Sequence, residues 1–547
     1  MFVESRAIVG SFIIAVAAMS FNATADELNL RLRYQEETEL ESRRFHVLTR
    51  EAEWKPSETA LIICDAWDAH HCLNAVRRLE QFAPRLNKVV KEARERGVTI
   101  IHAPSDCMEF YKDHPARRRA MEIPQKESLP ADIKSWCSAI PTEERGVWPI
   151  DQSDGGEDDD PVEHAEWAAK LKSQGRNPGT PWMRQTELIT IDTNKDYISD
   201  KGDEVWRILQ SHQIKNVILT GVHTNMCVVG RPFGLRQMVR NRFNTVLMRD
   251  MTDTMYNPKR WPYVSHFTGT DLVVSHIERH VCPTITSDQL IGGKPFRFKK
   301  DTRPRLAIIS AEDEYETSRT LPKFASEQLG HDFSTTLIFG NAKERNDIPG
   351  IQSISQADIV LVSVRRRWLP MADMKLLKEF VAAGKPVVGI RTASHAFTVR
   401  NKSPQEGMAE WTTLDQQVFG GNYHDHHGNK LKSTVRVAPN AAHPVLQGIT
   451  SREFAQGGSL YKTSPLLNGA TVLMTGTVEG FPAEPVAWTF KRADGGKSFY
   501  TSLGSPGDFD NPEFVRLLHN GLRWAAGLET AAPSPTNGPD NHVSKWH

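Results

Sequence analysis

Cysteine is scarce in this chain and stops early. Six residues (Cys64, Cys72, Cys107, Cys137, Cys227 and Cys282) serve 547 positions, with none after 282. Their spacings fit neither a zinc ribbon nor a disulfide-dense scaffold, so at most two disulfide pairs plus unpaired thiols are expected. Surplus charge is missing too. Sixty-seven Lys and Arg residues balance 67 Asp and Glu, which leaves no general attraction to nucleic acid or to an anionic membrane. Long apolar runs are absent beyond the first residues. Ala7 to Phe21 is of signal-peptide length and short for a membrane span, and Ala23-Thr24-Ala25 follows as a small-x-small cleavage pattern. The expectation is an exported protein, periplasmic or extracellular, cleaved near Ala25 (residues 1–25 being the signal peptide). Glu4 offsets Arg6 in the n-region, so an uncleaved anchor is the alternative.

What remains is an ordinary globular composition, 39% hydrophobic and 24% charged, too long for one core. Short apolar runs alternate with helical patterns: "TALIICDA" (59–66), a helix over 75–96, "VTIIHAP" (98–104), "ELITID" (187–192), "NVILTGV" (216–222) and "NTVLMRD" (244–250). Such runs predict a parallel sheet covered on both faces. Between Cys137 and Arg184 a polar insertion carries "DGGEDDD" (154–160) and reads as a surface loop or pocket lid. "GGKPFRFKKDTRPR" (292–305) has no periodicity and reads as a linker. A second series follows: "RLAIIS" (305–310), "TTLIFG" (335–340), "DIVLVSV" (358–364), "KPVVGI" (385–390), and amphipathic helices at 371–383 and 513–526. The fold class expected is α/β, with two doubly wound, mostly parallel three-layer domains over 26–291 and 305–530. A disordered tail, 531–547, follows.

Two residues in the first series sit where chemistry is delivered, at the carboxyl ends of parallel strands. Asp65 ends the apolar run "ALIIC", a costly place for a carboxylate unless it is paired. Cys227 lies in "GVHTNMCVVG" (221–230), where a strand turns into a helix. A helix start would lower its thiol pKa and supply amide donors for an oxyanion. A buried structural thiol, half of a disulfide or a metal ligand are the other readings of Cys227. A structural carboxylate is the other reading of Asp65.

"ALIICDAWDAHHC" together with "VILTGVHTNMCVVGRPFGLRQM" resembles the isochorismatase-like cysteine hydrolases, over roughly Pro56 to Ser287. That resemblance implies a hydrolase attacking a small C–N amide through a cysteine thioester. It implies Asp65 as base, Cys227 as nucleophile and a cis bond at Val222-His223, with the amides of Met226 and Cys227 as the oxyanion hole. The family's lysine falls in a K-x-x-x-S run, for which Lys195 is the candidate here, with Asp192 nearer the strand end. The Asp-x-His metal cluster of nicotinamidases is not matched by "HAPSDCMEFYKDH". His102, Asp106 and His114 are therefore read as satisfied polar residues, no metal or other cofactor is expected, and His70 and His71 are read as pocket lining. Copies in this family commonly associate, so a homo-oligomer is an expectation from the resemblance alone.

In the second series, "GIRTASHAF" (389–397) follows a strand as a nucleophile elbow does. With "VFGGNYHDHHGN" (418–429) and "GKSFYTSLGSPGDFDNPEFVRLLHNGLRWAAG" (496–527) it resembles the ThuA-like branch of the class I glutamine-amidotransferase-like fold, over 305–527. The amidotransferase cysteine is Arg391 here, so no glutaminase chemistry is expected. Arg391, Ser394 and His395 are the candidate pocket, and the resemblance makes a sugar the expected ligand. His424, His426 and His427 are read as a solvated loop. Two readings compete with a small-molecule hydrolase: a binding protein retaining the fold, and an enzyme whose main activity lies on sugar derivatives in the second domain.

Overall fold

The computed structural model describes residues 27–125, 128–451 and 453–529. The expected signal peptide and tail lie outside them. Eight strands build the first sheet: β1 (Leu28–Glu37), β2 (Phe45–Trp54), β3 (Thr59–Cys64), β4 (Thr99–Ala103), β5 (Tyr197–Ile198), β6 (Asn216–Val222), β7 (Asn244–Asp253) and β8 (Thr284–Ile285). Their order is β2-β1-β8-β7-β6-β3-β4-β5. Strands β3 to β8 are mutually parallel, and the β1–β2 hairpin closes one edge antiparallel. Both faces of the centre are dry. Along β3 and β6, Ala60, Ile62, Val217 and Leu219 join one apolar cluster, while Leu61, Ile63 and Ile218 join another. This is the period-two alternation of a strand covered on both sides. Helix α1 (Leu73–Glu95) covers the second face with Leu79, Phe82, Leu86 and Val90.

The second sheet has nine strands. Ser334–Phe339, Arg305–Ala311, Ile359–Val364, Val387–Ile390 and Lys497–Thr501 run parallel, and four antiparallel strands extend the sheet beyond the last of these. Both sheets are thus α/β, but only half of the second is parallel. The antiparallel half comes from 434–491, a stretch whose sequence announces no crossover helices.

Two expectations are corrected, on the 187–192 strand and the acidic insertion, while the bound of at most two disulfides is met with none. "ELITID" forms no strand: Ile189 is buried beneath α1, but its amide closes a turn on Thr186 and the Thr190 amide bonds the Asn87 side chain, so no ladder forms. No disulfide joins the cysteines, since all six are free and buried. The acidic insertion is not a loose surface loop. Asp159 accepts the Leu73 and Asn74 amides at the start of α1, and Asp158 grips Arg78 at 2.7 Å, which satisfies open helix-end donors with a charge of the favourable sign. Residues 292–304 lack regular structure yet are packed: Phe296 and Phe298 lie on Phe82, and Arg303 is buried between Asp301 and Asp271. Among the described residues no helix is long and apolar enough to cross a membrane.

The two sheets' layers meet along the helix His266–His280. Gly330 of the second half accepts from Ser265 and Thr268, and His331 bonds the Tyr263 carbonyl oxygen. A Cβ at Gly330 would lie 2.3 Å from a Val264 methyl.

Candidate active site

Register brings three strand ends together. Cys64 pairs with Ala103 of β4 and with Gly221 of β6, so the residues just beyond each strand converge at the carboxyl edge of the sheet. Asp65 leaves β3 with φ 46° and is fully buried. Its Oδ1 accepts the Ser105 amide at 2.7 Å beyond β4, and its Oδ2 lies 3.2 Å from Arg231 Nε. From β6 the chain passes through a cis bond at Val222-His223 into a short turn of helix, Thr224–Val228, that carries Cys227. Gly221 makes this possible: its φ is 106°, and a Cβ there would sit 1.9 Å from the Cys64 carbonyl oxygen. Only glycine tolerates both.

Cys227, 7% exposed, lies close enough to Asp65 and Arg231 to feel both charges. Burial, and then the Asp65 charge, push its thiol well above the ordinary cysteine range, while Arg231 pulls it back. The expected depression by a helix start does not occur. The helical turn is short, Cys227 is its fourth residue, and a neighbouring carboxylate outweighs the turn's dipole. Burial likewise raises Asp65 above the usual carboxylate range, opposed by Arg231, the Cys227 thiol and Ser105. The resting arrangement is therefore a protonated thiol against an unusually basic carboxylate, with a guanidinium beside both.

Arg231 is the residue that sequence reasoning missed. Its amide bonds the Cys227 carbonyl oxygen at 3.0 Å, one helical turn on, and a four-residue spacing puts both side chains on one face. That spacing was the available signal. Its guanidinium also stacks 4.7 Å over the Trp136 ring and lies 3.8 Å from Asp106. Lys195 is the corresponding correction. It lies exposed on the turn between Asp192 and Asp196, its amide on Asp192, and among the described residues its side chain makes no hydrogen bond or ion pair to Asp65. Asp196, not Lys195, points inward there, to His102 at 3.0 Å and Arg94 at 2.6 Å. The Met226 amide is also not open to an oxyanion, because it donates to the His223 carbonyl oxygen at 3.1 Å.

His102 is satisfied by Gln185 and Asp196, His114 caps its own helix, and Asp106 is exposed; the three form no cluster. His70 and His223 line a small cavity beside Asp65 with Trp67 and Val222. His71 is not among its lining residues. Both ring nitrogens of His223 lack a partner, and burial lowers it to about 4, so it is neutral near pH 7. The insertion walls this cavity: Trp182 stacks on Trp67 at 4.4 Å, and Trp167 donates to the His70 carbonyl oxygen.

In the second sheet, Arg391 follows the strand Val387–Ile390 with φ 43°. It is 1% exposed, donates to the carbonyl oxygens of Ser502 and Ser459, and lies between the rings of Tyr315 and Tyr461, 4.2 and 4.6 Å away. Arg391 is thus consumed internally and does not present a grip to a ligand. Ser394 bonds His395 at 3.1 Å, and His395 stacks on Tyr423 at 4.5 Å. Of the loop histidines, His424 is exposed, while His427 is buried against Phe481 with one ring nitrogen unpartnered.

A family model described as ThuA, trehalose utilisation, matches residues 347–525, and a ThuA domain is present there. No curated protein matches the chain. Similar solved structures include a ThuA-like protein from Parabacteroides merdae, 16% identical over 44% of this chain and 95% of its own, with a TM-score of 0.30. A cysteine hydrolase from Pseudomonas syringae pv. phaseolicola is 13% identical over 44% of this chain and 93% of its own, with a TM-score of 0.26.

Proposed function

We propose that the first domain is an isochorismatase-like cysteine hydrolase of small C–N amides, carried by an exported chain. The observation that carries this reading is the meeting of Cys227, Asp65 and Arg231 at the ends of adjacent parallel strands. The Cys227 sulfur attacks the amide carbon while its proton passes to Asp65. The tetrahedral intermediate collapses, the C–N bond breaks, and the amine leaves with the proton from Asp65. Water then attacks the thioester, giving a proton to Asp65 as its oxygen bonds the acyl carbon. The C–S bond breaks, the acid departs, and Asp65 returns the proton to sulfur. Because Asp65 is lifted by burial and the thiol is held protonated, the proton moves only as the new bond forms, as general-base catalysis requires. Arg231 keeps Asp65 anionic between steps.

Ammonia or amine release from a panel of small amides, measured with the wild type and Cys227→Ser, tests this. Release by the wild type that is lost in the variant is the expected result. Equal release by both removes Cys227 from the chemistry, and none from either favours a binding protein.

A further inference from the structure

Among the described residues, His223 alone has both ring nitrogens buried without a partner, and it is only 3% exposed. It lines the small cavity that also reaches Asp65. The rest of that wall has little polar capacity to spare. Val76, Leu79 and Val222 are apolar, His70 Nδ1 accepts the Cys72 amide at 3.2 Å, and the Trp67 indole N–H donates to the Ser105 carbonyl oxygen at 3.0 Å. A buried polar group without a partner is costly, and an ordered water is the usual remedy where a cavity has room and at least two polar groups. This cavity has about 10 Å³ of room for the centre of a water, enough for a single molecule. Asp65 is the second polar group. Its Oδ1 holds the Ser105 amide and its Oδ2 faces Arg231, which leaves lone pairs on the carboxylate for a further donor.

We infer that this cavity seats the hydrolytic water, held between His223 and Asp65, and that His223 is the positioning residue for hydrolysis of the acyl-enzyme. The inference rests on the cysteine hydrolase reading above. One O–H of the water donates to Asp65 and the other to the acceptor nitrogen of His223, so both oxygen lone pairs are free to meet the thioester carbon. The O–C bond forms as the first proton passes to Asp65. The C–S bond then breaks, and Asp65 returns that proton to the sulfur. His223 ends the cycle in the state in which it began. A neutral ring suits this role, because an imidazolium has no acceptor nitrogen, and burial keeps His223 neutral near pH 7. Ring and sulfur also share one short segment: the Met226 and Val228 amides on either side of Cys227 both donate to the His223 carbonyl oxygen at 3.1 Å.

A crystal structure and steady-state kinetics of the full chain test this together. At high resolution the wild type should show an ordered water within hydrogen-bond distance of His223 and Asp65, and His223→Leu should lose it. With an amide that the wild type hydrolyses, His223→Leu should lower kcat and KM together by roughly 10²-fold, as misplacing a reactant does, while kcat/KM, which reports acylation, is kept. Intact-mass spectrometry of that variant during turnover should find the acyl adduct on Cys227 as the predominant form. His223→Gln keeps an acceptor and should retain more of kcat than His223→Leu, and it carries the test if the leucine variant does not fold. Full kcat in His223→Leu, or equal loss of kcat and kcat/KM without an adduct, overturns the inference. A wild type that hydrolyses no amide overturns the hydrolase reading and the water's role with it, whereas a hydrolysing wild type with a dry cavity overturns the inference alone.

Discussion

Arg231 touches Asp65 through Nε alone, at 3.2 Å, with no bidentate fork to reproduce. A lysine would keep the charge without the planar geometry, so Arg231→Lys is expected to retain more activity than Arg231→Ala, which should lose about tenfold or more. Arg231 also holds the Asp65 pKa down against burial. Removing it should therefore move the acidic limb of the pH–rate profile to higher pH, since Asp65 then needs a higher pH to ionise; an unmoved limb would show that Arg231 does not act on Asp65. Asp65→Asn removes the base and should lower turnover by roughly 10²–10⁴-fold, with the melting curve little changed. Because all six thiols are buried and free, Ellman's reagent near pH 7 should react slowly with the native protein and count six only after unfolding. Asp65 was legible because it ends an apolar run, where a polar side chain needs a reason, and Cys227 because it lies in the turn that follows another such run. Arg231 was not, because a lysine pattern elsewhere drew the cation to Lys195, and only the fold shows that Asp196, not Lys195, turns inward.

At the level of elements, the strand β6 and its turn depend on Gly221. Gly221→Ala drives a Cβ into the Cys64 carbonyl oxygen and should lower the melting temperature of the first domain by about 10 °C or prevent its folding; a variant melting like the wild type would show that the turn relaxes. The connections away from the sheet centre rest on buried ion pairs. Burial pushes Glu143 up, but His276 and Arg236 outweigh it and hold it at about 2. Asp196 is likewise held at about 2 by His102 and Arg94 against burial. A depressed carboxylate stabilises the fold above its unfolded value, about 4, and loses that contribution as pH falls toward its folded value. Stability measured by denaturant titration should therefore hold from pH 7 to about 5 and fall between about 4 and 2, and Glu143→Gln and Asp196→Asn should flatten that fall. The central strands were legible from their apolar runs, and 216–222 matches β6 end for end. The β1–β2 hairpin was not, since Leu28, Leu30 and Leu32 alternate with Asn29, Arg31 and Arg33 in a segment that reads as polar on average. "ELITID" misled for the opposite reason, because one buried isoleucine in a side-chain-tethered turn imitates strand alternation.

Over the whole molecule, two α/β layers share one seam, narrow enough at Gly330 that a side chain cannot enter. Gly330→Leu should separate the halves, so that a single thermal transition by calorimetry becomes two; one unchanged transition would mean that the seam does not couple them. The reading of the first domain as a cysteine hydrolase is tested most directly by rapid-quench intact-mass spectrometry of the wild type during turnover of an amide it hydrolyses. The account predicts a transient mass increase equal to the acyl group, located on the peptide carrying Cys227, removed by hydroxylamine and absent in Cys227→Ser. Turnover without any acyl adduct, or an adduct on another residue, would contradict it.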